Sequence, residues 1–299
     1  MMGYLFLAIS LFAGVTKGYC GKKTSGYVNG YKDAMLANTI RMVLCTLIGI
    51  ILIIASGNVE QLRPTPQILA ISALSGVTTS AFVVCWLISV KKGAYMMLDV
   101  FLMLGVLVPI IAGQFLFGET IKLTQWMGIA VLFLAVVIMC SYNNSIKEKI
   151  SISSLVLLII CGLSNGLTDF SQKLFVKQLS DISISVFNFY TYVFSAIVLG
   201  VFLMVFSIRE KGQSTEGIAG LKNIFGYIMV MSICLFVNSY FKTKSASYLD
   251  SAQLYPLNQG LSLTLSSIMS ASLFHERLTL KCIIGLVLSF VGLIIINVL

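Results

Sequence analysis

Long apolar runs separated by short polar stretches set the pattern of this chain. Ten such runs can be cut, at approximately 3–20, 34–56, 67–90, 94–117, 124–142, 151–172, 182–208, 223–241, 249–273 and 278–298. Each is near the roughly 20 residues that carry a helix across ~30 Å of hydrocarbon. The connections are short, the longest being about 14 residues from Arg209 to Lys222. In lipid every backbone polar group needs an internal partner, so the runs must be helices or strands of a closed barrel. Barrel strands alternate in polarity over about ten residues, and Ile48-Gly49-Ile50-Ile51-Leu52-Ile53-Ile54 does not. The pattern predicts an all-α integral membrane fold with ten transmembrane helices.

The chain also repeats itself. Leu116-Phe117-Gly118-Glu119-Thr120 and Leu273-Phe274-His275-Glu276-Arg277 share a Leu-Phe-x-Glu core, 157 residues apart, each followed by a glycine (Gly128, Gly285) nine residues after the Glu. Ala13-Gly14-Val15-Thr16-Lys17 matches Asn165-Gly166-Leu167-Thr168-Asp169 at an offset of 152, and Asn38 in segment 2 matches Asn188 in segment 7. The halves are about 1–142 and 151–299. Five crossings is an odd number, so the second half must enter the membrane from the opposite face. Inverted repeats of this kind place a substrate site near the bilayer midplane between the halves.

Composition narrows the solvent and the partners. Apolar residues are 58% of 299 positions and charged residues 10%, against about 25% charged in soluble domains; mean hydropathy is +0.97. The net charge of +9 sits largely in connections, which is membrane topology and not a nucleic-acid footprint. Seven cysteines, none within four residues of another, give no zinc or redox spacing, so neither metal nor cofactor is expected. Tyr4 to Val15 lacks the basic start and small-residue cleavage site of a signal peptide and reads as the first membrane helix.

Gly118-Glu119 through Gln125-Trp126-Met127-Gly128, at the junction of segments 4 and 5, resembles the glycine-glutamate…glutamine-tryptophan-x-glycine pattern of EamA-like transporters in the drug/metabolite transporter superfamily. Arg41 falls where that family usually has arginine. In the second half the pattern departs, with His275 in place of the glycine and Lys281-Cys282 at the entry of segment 10. The resemblance implies a cavity lined by segments 1–4 and 6–9, with 5 and 10 peripheral, and cytoplasmic termini. Loop charge says otherwise. Connections after odd-numbered segments carry twelve Lys or Arg, whereas even-numbered ones carry six: Arg63, Lys122, Lys173, Lys177, Lys242 and Lys244. The positive-inside rule puts the richer side in the cytoplasm and both termini outside.

Charges within the runs are Lys17, Arg41, Asp99 and Asp169. An intramembrane charge costs at least ~2.5–3.5 kcal/mol near a helix centre, so each is a candidate site residue, with headgroup snorkelling as the bland reading for the two cations. By residue counting, Lys17 lies about 9 Å past the middle of segment 1 and Asp169 about 9 Å on the other side, which excludes a direct pair. Arg41, Asp99 and Trp86 share the Lys17 layer. The Asp169 layer is expected to hold Asn188, Asn238, Gln253 and Asn258, with no Lys or Arg. Segment 9 carries Gln253, Tyr255 and Asn258 around Pro256, and a Pro-interrupted helix at membrane depth is tolerated where it lines a cavity. Glu119 and Glu276 read as junction anchors. His275 is the single histidine, so no triad is available, and no Walker motif is present.

These readings favour a secondary transporter of a small organic metabolite, not an enzyme, multi-pass in the cell membrane. Its expected partners are a small-molecule substrate, the lipid bilayer and a coupling proton, as monomer or homodimer, with no nucleic acid. A multidrug or cationic-compound exporter is the alternative within transport, and a non-transporting sensor or scaffold the alternative outside it.

Overall fold

The computed structural model describes residues 1–28, 30–91, 95–141, 152–209, 216–273 and 280–298. Among them there is no strand. The helices are α1 (Met2–Ser25), α2 (Tyr31–Ala55), α3 (Pro66–Lys91), α4 (Tyr95–Gly105), α5 (Leu107–Phe117), α6 (Leu123–Ser141), α7 (Ile152–Gln178), α8 (Ile184–Arg209), α9 (Glu216–Ala246), α10 (Ser251–Leu273) and α11 (Leu280–Val298), with a 3-10 turn at Asn58–Leu62. Five of these are long and apolar enough to cross a membrane by length and composition: α1, α2, α3, α8 and α9.

The outer face is apolar like the core, and many small polar side chains are buried beside that core. On α11, Ile283, Val287, Phe290 and Ile294 form an exposed stripe at helical spacing, while Ser10, Asn38, Ser72, Ser75 and Ser195 are wholly buried. Hydroxyl pairs tie helices together inside, Thr78 to Thr168 at 2.9 Å and Ser80 to Ser195 at 2.8 Å. Where the solvent is hydrocarbon, burying apolar surface gives no drive, and close packing plus interhelical hydrogen bonds hold helices together.

Segment 4 of the sequence is two helices, α4 and α5, broken at Val106. Pro109 explains the break: it offers no N–H to the carbonyl four residues back, that of Gly105, and its ring crowds it. Gly105 is also where α4 crosses α7. A Cβ there would stand 2.1 Å from the Gly162 carbonyl oxygen, and one on Gly166 would stand 2.1 Å from the Gly105 oxygen. α6 and α11 meet in the same way at Gly128 and Gly292, each facing the other's carbonyl oxygen.

Most packing runs between the two halves of the chain. The principal partners are α1 with α9, α3 with α7, α2 with α8 and α6 with α11; further contacts join α3 to α8, α2 to α9, α4 and α5 to α7, and α1 to α10. This pattern maps onto itself when α1, α2, α3, α4/α5 and α6 are exchanged for α7, α8, α9, α10 and α11.

Candidate functional site

Between the halves lies a cavity of about 130 Å³, walled by α1, α3, α4, α7, α8, α9 and α10. Among the described residues α6 and α11 contribute nothing to its wall, and neither does α2, which corrects the expectation that segment 2 lines the cavity. Of the ten residues singled out from sequence, Lys17, Trp86, Asn238 and Asn258 line it. Trp86 is seated against α1 at Gly21, where a Cβ would lie 2.5 Å from the indole ring. Asn238 clamps α9 to α1, donating to the Ser10 carbonyl at 2.7 Å and the Ser10 hydroxyl at 3.0 Å. The Asn258 Oδ1 atom is buried with no hydrogen-bond partner. Lys17 projects from the middle of α1, and its ammonium has neither hydrogen bond nor ion pair among the described residues.

Asp169, Asn188, Tyr255 and Arg41 stand behind the wall. Asp169 is buried and accepts a salt-bridged hydrogen bond from Lys242. The Tyr255 hydroxyl donates to the Asp169 backbone carbonyl at 2.8 Å. Asn188 closes a relay in which Gln172 donates to Ser239 at 3.2 Å and Ser239 donates to the Asn188 Oδ1 at 3.0 Å. Arg41 bonds Asn38 through Nη1 at 2.8 Å, and its buried Nε has no partner. Gln253 sits in the first turn of α10, away from the cavity. Asp99 lies on α4, its side chain outside those described, so no Lys17–Arg41–Asp99 cluster is established.

Two sequence expectations are corrected here. The Asp169 layer was expected to lack a cation, and Lys242 supplies one. The separation of about 18 Å between the Lys17 and Asp169 layers also fails, because Lys17 and Lys242 face the same cavity and Lys242 holds Asp169, although Lys17 and Asp169 make no direct ion pair, as expected. The cause is helix length. α7 runs to Gln178 and α9 to Ala246, each about five residues beyond the apolar run, and α1 runs to Ser25. Measured from these helix centres, Lys17 is displaced by only about 5 Å and Asp169 by about 6 Å the other way, which shortens the separation in depth to about 11 Å. Lys242, Gln172 and Ser239 were missed because a hydropathy boundary stops at the first charges. The missing signal was a stop: no Gly or Pro lies between Asn238 and Asp250 to end the helix.

The sequence profile of the EamA-like transporter family matches residues 1–141 and 152–298. The chain belongs to that family. This EamA-like protein is therefore a multi-pass membrane protein of the drug/metabolite transporter type. A crystal structure of a protein with 12% identity superposes on it with a TM-score of 0.73, over 99% of this chain and 97% of that one, which shows a shared fold. No curated protein matches it.

In this EamA-like protein the family's Gly-Glu junction is a structural anchor at one end of the bundle. Gly118 takes a left-handed turn (φ 64°) that brings Glu119 back toward α10. The Glu119 carboxylate accepts the Ser251 N–H at 2.8 Å, at the start of α10, and pairs with Lys173 at 2.8 Å. Lys173 in turn donates to the Leu249 and Ala246 carbonyls at 2.7 and 3.3 Å. One carboxylate and one ammonium thus tie the α5–α6 junction to α7, α9 and α10. Burial pushes the Glu119 carboxyl up, but hydrogen bonds from Lys173 and Ser251, with the charge of Lys173, outweigh it and hold the group below its usual value. The Glu276 counterpart falls outside the described residues. No cluster of metal-ligating side chains occurs among the described residues.

Proposed function

We propose that this EamA-like protein is a secondary transporter that moves a small organic metabolite across the cell membrane by alternating access. The observation that carries this reading is the charged and amide-lined cavity walled by helices of both halves. A pocket at the interface of two halves is the element that alternating access requires. The exchange pattern of helix packing supports reading the halves, about 1–142 and 151–299, as inverted repeats of five crossings each. Lys17, Trp86, Asn238, Asn258 and Lys242 are the residues assigned to touch substrate. Arg41, Asp169, Asn188 and Tyr255 act one layer back, Gln253 supports the start of α10, and Asp99 is assigned to the α4 wall.

The test is flux into liposomes holding the purified chain, across amino acids, organic acids, sugars, nucleobases and quaternary amines. Saturable uptake of one class is expected. Lys17→Gln should lower it by about tenfold or more, as an intramembrane charge is a functional position. Ligand-dependent thermal stabilisation without saturable flux of any class would instead favour a sensor and end the transport reading.

A further inference from the structure

Three ionisable groups meet at the cavity, and their arrangement is asymmetric. Lys242 reaches the wall from α9, while its partner Asp169 on α7 stands behind it and does not line the space. Lys17 reaches the same cavity from α1 with no partner of its own. The Asp169 backbone is pinned by the Tyr255 hydroxyl from α10. Besides Lys242, the ionisable groups that bear on Asp169 among the described side chains are Lys17, whose charge acts on it from α1, and the Tyr255 hydroxyl; Lys173 on α7 is taken by Glu119, α3 offers the Thr78 hydroxyl to the neighbouring Thr168, and α5 carries no ionisable residue. Of Asp99 on α4, only the backbone is described.

We propose that Lys242 and Asp169 form a proton-linked site for the anionic group of the substrate, a carboxylate or phosphoryl group. The anion enters between Lys17 and Lys242 and takes Lys242 over from Asp169. Asp169, deprived of its cation in a buried position, takes a proton from solution and becomes a neutral carboxylic acid. A lone buried carboxylate is too costly to persist once its partner has turned away. On release the anion leaves, Asp169 gives up the proton, and the ion pair closes again. One proton therefore travels with each monoanion.

Charge conservation at the site favours this scheme. With both lysines protonated and Asp169 ionised, the empty site of Lys17, Lys242 and Asp169 has a net charge of one positive unit. With a monoanion bound and Asp169 protonated, the net charge is again one positive unit. Arg41 on α2, behind the cavity wall, adds the same fixed charge to both states. Empty and loaded carriers thus present the membrane with the same electrostatic burden, and the proton is what keeps them equal. This inference rests on the transport reading only in taking the cavity as the place where substrate sits.

The experiment is binding to the purified full chain in detergent. The probes are lactate and alanine as carboxylates, sulfate as a phosphoryl surrogate, and ethylamine as a cationic control. At least one anion should raise the melting temperature and ethylamine should not; whether the carboxylates or sulfate respond separates the two anion chemistries. The affinity should weaken by about tenfold per pH unit between about pH 6 and pH 8, the slope for one proton taken up per anion. A pH-indicator dye in weak buffer should report that proton directly on the wild-type protein. Asp169→Asn should bind the anion with no pH slope and no proton uptake, and Lys242→Met should not bind it. If Asp169→Asn does not fold, the double variant Asp169→Asn, Lys242→Met removes both charges and should fold without binding. A pH-independent wild-type affinity, anion binding without proton uptake, a preference for ethylamine, or no response to any anion each overturns the proposal. Saturable flux of a neutral or cationic compound would overturn it while leaving transport standing, and absence of all flux would overturn transport instead.

Discussion

Glu119 shows how much one side chain can hold at a membrane-protein junction. Removing one member of a buried ion pair costs about 3–5 kcal/mol, because the other is left charged without a partner. We predict that Glu119→Gln lowers unfolding stability in detergent by about 3 kcal/mol, and that adding Lys173→Met recovers a large part of the loss. The pH dependence follows from the depressed carboxyl. A group whose folded pKa lies below its unfolded value contributes stability above the unfolded pKa and loses it as pH falls through the folded one. The gap between wild type and Glu119→Gln should therefore be constant near neutrality. It should shrink only once the pH falls below the ordinary glutamate value of about 4.3. Thermal unfolding at a series of pH values reads this, and an unchanged gap in acid would show that packing and not the carboxylate holds the junction.

Helices here approach through glycines, and the approach distances separate positions that a sequence treats alike. Gly162 of α7 lies against the Phe101 carbonyl, where a Cβ would stand 2.0 Å away, whereas Gly200 of α8 has nothing within 4 Å. Gly162→Ala should lower the melting temperature sharply or prevent folding. Gly200→Ala should be neutral or stabilising by up to about 1 kcal/mol, the intrinsic helix preference for Ala. Equal effects would mean that α4 and α7 have room to separate. The sequence made the helical class legible because ten apolar runs leave no other backbone solution in lipid. It also exposed Lys17, since a charge amid apolar residues is visible without coordinates. What it hid were the helix ends. Lys173 and Lys242 follow apolar runs and read as loop residues, yet α7 and α9 continue past them and turn both inward onto acids. Hydropathy counts a lysine as polar whether it meets water or a carboxylate, so the partner of Asp169 could not be read from local composition.

At the scale of the molecule, those buried lysines change the charge balance across the membrane. Lys173 and Lys242 are internal pairs and cannot report on loop orientation, which leaves Arg63, Lys122, Lys177 and Lys244 on the even side against twelve cations on the odd side. From this sharpened bias and the positive-inside rule we predict that the odd connections are cytoplasmic. We predict that a fluorescent protein fused at the C-terminus is dark and an alkaline phosphatase fused there is active. The reverse result would give the orientation that the family resemblance implies. The dominance of packing between halves has a consequence for synthesis. When α6 leaves the ribosome, α1, α2 and α3 have their main partners still unmade, and Ser10, Thr78 and Ser80 have no hydroxyl or amide to meet. At about 5–20 residues per second, the remaining half takes roughly 8–30 s to arrive. For that interval the first half is an unfinished interface waiting in the bilayer, open to chaperones, to proteases and to the halves of other copies.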